Sequence, residues 1–295
     1  MSPADPARPG SLGACATLAC LWEATAPKPG NVYRGADFAD MSYGDFVTAA
    51  VAVGQVFDSA ADQTVGELTL SAVQAMRAAV AVNTHLGTIL LLGPLAKGAG
   101  PAGGICGAAA AVARQTTRDD ARLAYQAIRL AAPGGMGESA KADLSEQSPA
   151  VTLYEAMTLA ADRDLVARQH AGGFADVAAV AAQIATLLAD GAPLADAIVH
   201  AHTAQMAAAA DTLIARKCGP GVAAESAARA GRVIDAGPLG SDAYQQQLAD
   251  LDFWLRSDGH RRNPGATADV VAAALFCLLV EDRLSWPVRF YGAPS

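Results

Sequence analysis

The sequence predicts an all-α fold, a single-domain bundle of about nine to twelve helices with no sheet beyond an incidental bridge. Three observations carry this. Ala fills 71 of the 295 positions, and Ala is the best helix former because it loses no side-chain entropy on folding. Helix-start signals recur as Ser or Thr followed three residues later by an acid, at Ser42 and Asp45, Thr117 and Asp120, and Thr152 and Glu155. Apolar residues return at helical spacing, as in Phe46, Ala49, Ala50, Val53 and Phe57. No run of five or more residues alternates between apolar and polar, and aromatics at 5% argue against a β-sandwich or barrel.

In order along the chain, residues 1–10 read as a disordered tail and residues 11–295 as one domain. Ser11 caps a first helix that ends near Ala26, where Pro27-Lys28-Pro29-Gly30 stops it, since proline cannot continue a helix and restricts its predecessor. A polar loop to Met41 leads into the helix capped by Ser42. The next helix spans about Thr64 to Val82, and Asn83-Thr84 breaks it. The helix from His85 to Lys97 is apolar on nearly every side and is expected at the buried centre of the bundle. After a glycine-rich loop a short Ala helix reaches Arg114, and the Thr117 cap opens another to Ala132. Pro133 to Pro149 is the longest irregular stretch, and irregular stretches of that length in compact domains are usually functional or mobile. Beyond the Thr152 cap, Asp162-Arg163-Asp164 leads into a long Ala-rich segment ending near Asp190. Further helices are expected at about Leu194–Cys218, Val222–Ala236, Ser241–Arg256 and Pro264–Arg283.

The chain carries 21 Lys and Arg against 29 Asp and Glu, a net charge of −8. Without a basic stripe it is a poor candidate for nucleic-acid binding. Cys15, Cys20, Cys106, Cys218 and Cys277 include no CxxC pair, which reads as reduced thiols rather than zinc ligands or disulfides. The N-terminal residues lack an apolar signal core, and the apolar runs Leu86–Leu92 and Val270–Val280 fall short of the roughly 20 residues a membrane span needs. A cytoplasmic location with no membrane partner is therefore expected.

Glycine and polar residues gather in five places: Glu23 to Met41, Asn83 to Gly87, Pro133 to Asp143, Asp162 to Phe174, and Asn263 to Asp269. Several lie at helix N-termini, where unpaired N–H groups and the helix dipole attract anions. Taken singly these are ordinary caps and turns; together they point to a phosphate-bearing ligand bound in one cleft. Lys28, Arg34 and Asp40 would suit a metal–polyphosphate, the cations on phosphate oxygens and the carboxylate on Mg²⁺. A solvated surface loop is the plainer alternative. Glu155 and Asp162 lie seven apart on one helix face, and with Asp164 they could hold a metal, act as acid and base, or pair with Arg163 and Arg168. His200 and His202, two apart, face different ways and make a poor metal pair. His85 reads as a core histidine whose neighbours Asn83 and Thr84 also allow a site.

Together these residues resemble the triphosphoribosyl-dephospho-CoA synthase family. The resemblance rests on Glu23 with PKPGNV (Pro27–Val32), Gly35-Ala36 with Asp40-Met41, NTHLG (Asn83–Gly87) and NPGATAD (Asn263–Asp269), spread from about residue 15 to 283. The family's third motif has Lys where this chain has Leu86, and its second has His-Lys where this chain has Asp37-Phe38. The segment from Pro133 to Gln169 is more like a branch found in methanogens and C1-metabolising bacteria.

The resemblance implies an all-helical enzyme that displaces adenine from ATP and joins ribose C1 to a hydroxyl of 3′-dephospho-CoA, making a prosthetic-group precursor. The alternatives it leaves open are a related nucleotide-dependent transferase in C1-carrier cofactor biosynthesis and a helical nucleotide-binding protein without catalysis. Such a reaction needs negative charge near C1, an acid for the leaving base and a base for the hydroxyl. The expected catalytic residues are Asp40, His85, Asp162 and Asp269. Glu23, Lys28, Gly30, Arg34, Asn83, Thr84, Gly87, Gly134, Gly135, Arg163, Asn263 and Gly265 are expected to bind substrates. Mg²⁺ is expected on carboxylates from Asp40, Glu155, Asp162 and Asp164. The partners implied are ATP and a dephospho-CoA-like acceptor, and a homodimer is compatible with this reading.

Overall fold

The computed structural model describes residues 8–100, 104–131 and 150–292. They form fourteen α-helices in chain order: α1 Leu12–Thr25, α2 Tyr43–Phe57, α3 Val65–Ala79, α4 Leu86–Lys97, α5 Ile105–Arg114, α6 Arg118–Ala131, α7 Leu153–Ala160, α8 Leu165–Ala171, α9 Ala175–Ala189, α10 Leu194–Ala208, α11 Thr212–Cys218, α12 Pro220–Asp235, α13 Asp242–Arg256 and α14 Gly265–Val280. A 3₁₀ turn at Ala60–Asp62 follows α2. Among the described residues there is no strand, only an isolated bridge between Tyr33 and Ala36.

The caps read from sequence are in place. Ser11 Oγ accepts from the Ala14 N–H. Ser42 with Asp45 and Thr152 with Glu155 close reciprocal capping boxes, as does Thr64 with Glu67. Asp120 accepts from the Thr117 N–H at 2.7 Å and also from the Gly66 N–H at 2.8 Å, joining the starts of α3 and α6.

The helix number exceeds the nine to twelve expected, and two breaks explain much of the excess. The Ala-rich segment after Asp164 is two helices, α8 and α9, bent by 99°. Gly173 at φ +68° and Phe174 at φ +61° turn the chain through the left-handed region between them. The expected helix from Leu194 to Cys218 is also two, because the buried Asp211 caps a new start, accepting from Leu213 and Ile214 N–H groups. The helix expected to reach Val82 ends at Ala79.

α4 and α14 pack against each other and are buried over most of their length. Both are apolar all round, the pattern of a helix surrounded by others. Their N-termini are the two helix ends that carry the Asn83–Gly87 and Asn263–Asp269 clusters. A second apolar cluster, including Met206, Ile214, Tyr244 and Leu255, joins α10 to α13. No single helix among the described residues is long and apolar enough to cross a membrane.

Candidate active site

Four of the five polar clusters converge on one cleft of about 1570 Å³. It is lined by Glu23, Asn31, Phe38, Asp40 and Met41 from the first cluster, by Asn83, Thr84, His85 and Gly87 from the second, by Asp162, Arg163 and Asp164, and by Asn263, Gly265 and Asp269. Gly134 and Gly135, with the Pro133–Asp143 cluster, lie outside the described residues.

Asp269 sits where the starts of α14 and α4 meet. Its Oδ1 accepts from the Thr88 N–H at 2.8 Å and the Thr88 hydroxyl at 2.7 Å, so it caps α4 from another helix. Its Oδ2 lies against Gly87: a Cβ there would come within 2.0 Å. Burial, aided by the negative charge of Glu23, pushes the Asp269 carboxyl up to about 8, although the Thr88 bonds pull the other way. At neutral pH this group is an acid that still holds its proton. Asp211 repeats the device one helix away, accepting from the Thr267 N–H and hydroxyl at 2.8 Å each. The two threonine–aspartate couplings stack the starts of α11, α14 and α4 in series.

His85 is buried at the N-cap of α4, edge-on to Phe46 with ring centroids 5.2 Å apart. Its Nε2 lies 3.2 Å from the Phe46 carbonyl oxygen. A carbonyl only accepts, so Nε2 carries the hydrogen and Nδ1 keeps its lone pair. Burial holds the imidazole below its ordinary proton affinity. Asn83 Oδ1 accepts from the Leu86 N–H at 3.2 Å. Two buried oxygens on the cleft wall, Thr84 Oγ1 and Asn263 Oδ1, have no hydrogen-bond partner. Such orphaned groups are costly unless a ligand satisfies them.

Lys28 and Arg34 do not line the cleft. Lys28 is fully buried, and its Nζ lies 2.8 Å from Glu23 Oε1 while donating to the Glu23 carbonyl. The stiff Pro-Lys-Pro turn points the side chain back under α1. Arg34 is exposed. Gly30, too, is outside the lining: at φ +73° it packs on Leu255, and its N–H donates to Asp252 at 2.7 Å, which fastens the loop to α13. The basic residues on the cleft wall are Arg77, Arg163, Arg216 and Lys217. Lys217 is held below its usual affinity by burial and by Arg216. Arg216 and Lys217 close α11, a helix hidden from sequence inside an expected longer one; a basic pair just before Gly219 was the available signal.

The four candidate metal ligands are not gathered. Glu155 is spent on its capping box and is absent from the lining. Asp164 caps α8 through the Ala167 N–H and lies 3.5 Å from Arg216. Asp40, largely exposed, lies 3.3 Å from His260 Nε2. Among the described residues no group of three or more His, Cys, Asp or Glu side chains forms a metal cage. Asp40, Asp162 and Asp164 remain on the cleft wall.

The family model for ATP:dephospho-CoA triphosphoribosyl transferase matches residues 9–288. A crystal structure from Archaeoglobus fulgidus, described as a candidate triphosphoribosyl-dephospho-CoA synthase, superposes with a TM-score of 0.62 at 26% identity, covering 79% of this chain and 97% of that one. No curated protein matches the sequence.

Proposed function

The chain belongs to the ATP:dephospho-CoA triphosphoribosyl transferase family, and from that premise we propose how its cleft carries the transfer. The reaction breaks the bond between ribose C1 and adenine in ATP and forms one between C1 and a hydroxyl of 3′-dephospho-CoA. The hydroxyl proton is lost and the departing adenine gains one, so the exchange balances without a redox partner.

The supporting observation is the opposed tuning of two groups on one cleft wall. Asp269 is pushed up to about 8 and His85 is held down. At pH 7 the carboxyl holds a proton and the imidazole lacks one, which are the states an acid and a base need. Asp269 donates to a ring nitrogen of the leaving adenine. His85 Nδ1, its lone pair fixed by the Phe46 carbonyl on the other nitrogen, takes the hydroxyl proton. Glu23, which lines the same cleft, supplies negative charge as C1 becomes cationic. Arg77, Arg163, Arg216 and Lys217 neutralise triphosphate oxygens, while Asn263 and Thr84 give their unpaired oxygens to ligand donors.

Mg²⁺ fits this wall as part of the nucleotide complex, because Mg²⁺ is commonly held by one or two carboxylates plus phosphates and waters. Asp162 and Asp164 are the pair we assign to it, and the ion offsets triphosphate charge when bound. The cytoplasm, where ATP is made, is the compartment we assign; the five free thiols suit it. Incubation with ATP, Mg²⁺ and dephospho-CoA should release free adenine and raise the acceptor's mass by one triphosphoribosyl group. Adenine release that ignores dephospho-CoA would point to another acceptor, and no release with any acceptor would overturn the reading.

A further inference from the structure

Outside the cleft, α5 and α14 bring two of the chain's five thiols together. Cys106, half-buried in the first turn of α5, has its Sγ 3.9 Å from that of the buried Cys277 on α14. Cys277 follows Asp269 by eight residues on the same helix, which places it about 12 Å further along the axis at 1.5 Å per residue. Both thiols line a separate crevice of about 170 Å³, walled by Gly104, Gly107, Ala178 and Ala181 and edged by Glu281 and Arg283. The small walls leave the way in open: a Cβ at Gly107 would meet nothing within 4 Å. Glu281 fixes the pairing, because its Oε1 accepts from the Ile105 N–H at 2.8 Å and so fastens the start of α5 to the end of α14.

We propose that Cys106 and Cys277 are a redox pair that takes up a small hydroperoxide and closes into a disulfide joining α5 to α14. Cys106 is the attacking sulfur because it is the less buried of the two and opens on the crevice. The Cys277 thiol, donating across the 3.9 Å contact, holds Cys106 below the ordinary thiol affinity, with help from Arg283 and against burial and Glu281. Its bond to Cys106 and its burial push Cys277 up, so that it keeps its proton. An accessible sulfur of thiolate character beside a resolving thiol is the arrangement that redox-sensing cysteines share. The Cys106 sulfur attacks one peroxide oxygen and the O–O bond breaks. The other oxygen leaves as water or an alcohol, taking up the thiol proton, and Cys106 becomes a sulfenic acid. The Cys277 sulfur then attacks the Cys106 sulfur, the S–O bond breaks, and water leaves with the Cys277 proton. Two thiols are oxidised to one disulfide and one hydroperoxide is reduced. A disulfide bond is about 2.05 Å long, so the two sulfurs have roughly 2 Å to close. The other buried thiols offer no such chemistry: burial pushes Cys15 up to about 11, and Cys20 further still.

The test treats the reduced, full-length chain with an equimolar amount of hydrogen peroxide, alkylates the remaining thiols in denaturant and maps the peptides by mass spectrometry without reduction. The parent should lose two hydrogen atoms, keep three of its five thiols for alkylation and yield a cross-linked peptide pair holding Cys106 and Cys277, which dithiothreitol separates. Cys277→Ala, lacking the resolving thiol, should stop at the sulfenic acid: Cys106 gains one oxygen atom and captures dimedone. Cys106→Ser should form no disulfide and leave Cys277 free for alkylation, since the buried thiol presents no thiolate. That variant changes one atom at a half-buried position, so it keeps the test open if the core change Cys277→Ala folds poorly. Cys218, also half-buried, is the internal control. Oxidation of Cys218 as readily as Cys106, a parent in which Cys106 is oxidised while Cys277 still alkylates, or a disulfide found only between two chains overturns the proposal. No step uses ATP, so the outcome is independent of whether adenine is released.

Discussion

Asp269 leaves a signature in stability as well as in rate. Its folded-state affinity is raised to about 8 from an ordinary 3.8. Between those values the folded chain holds a proton that the unfolded chain has released, so its contribution weakens the fold as pH rises from about 4 to about 8. Asp269→Asn removes the titration. The difference in Tm between variant and parent should therefore grow in the variant's favour across that interval, and parallel curves would show that Asp269 ionises normally. In the same variant kcat should fall by roughly 10²–10⁴-fold, the usual contribution of a positioned acid. Gly87→Ala approaches the same carboxyl from the other side. Its Cβ would stand 2.0 Å from Oδ2, so Asp269 must swing off Thr88; overpacking of this kind costs about 1–3 kcal/mol. Activity should drop well beyond what the loss in Tm accounts for, despite the better helix propensity of Ala. The Asn83–Gly87 and Asn263–Asp269 clusters were legible as a site because polar residues stand out in so monotonous a chain. The burial of Lys28 was not: nothing in the spacing of PKPG tells whether its lysine turns outward to phosphate or inward to Glu23.

Single caps decide more at the scale of the element than helical periodicity does. Sequence periodicity carried one helix through Asp211 because Ala and Leu continue on both sides. The structure breaks it there because a buried carboxylate with four donors around it is worth more than continuing the helix. Asp211→Ala should cost roughly 1–4 kcal/mol, two caps' worth at about 0.5–2 kcal/mol each, read as a lower denaturant midpoint at unchanged slope. It should also weaken catalysis, since Thr267 anchors the helix that carries Asp269; loss of stability with full activity would separate the two couplings. The break between α8 and α9 has a visible signal in Gly172-Gly173, which the helical pattern of the Ala-rich run that follows obscures. Gly173→Ala meets ordinary contact with Ala110 at 3.6 Å, so only the left-handed backbone opposes it. That strain is about 1–2 kcal/mol, a fall of a few degrees in Tm.

Across the whole molecule, an acidic chain has gathered its cleft cations from three separate places: Arg77 on α3, Arg163 after α7, and Arg216 with Lys217 on α11. Composition hides this, because a net charge of −8 says nothing about where the positive residues meet. It also bears on Leu86, which lines the cleft where the family's motif has lysine: the cation missing from α4 has counterparts on the wall of the same cleft, on α11. Triphosphate binding should then depend on Arg216 and not on Arg34, which the sequence singled out and the structure leaves exposed outside the lining. Removing one charge-assisted contact costs about 1.5–3 kcal/mol, so Arg216→Ala should weaken MgATP binding by roughly 10- to 150-fold in calorimetry. A ligand held at 100 times its Kd stabilises the fold by about 2.7 kcal/mol. The Tm gain that ATP gives the parent should therefore shrink in Arg216→Ala at the same nucleotide concentration, and survive intact in Arg34→Ala. Asp164, 3.5 Å from Arg216, will be left without that partner, so the comparison must be repeated with Asp162→Asn, which leaves the Arg216 pair in place. That variant should lose affinity only when Mg²⁺ is present. An equal loss in EDTA would remove the ion from this wall while leaving Arg216 on the phosphates. Full ATP affinity in Arg216→Ala would instead place the triphosphate away from α11.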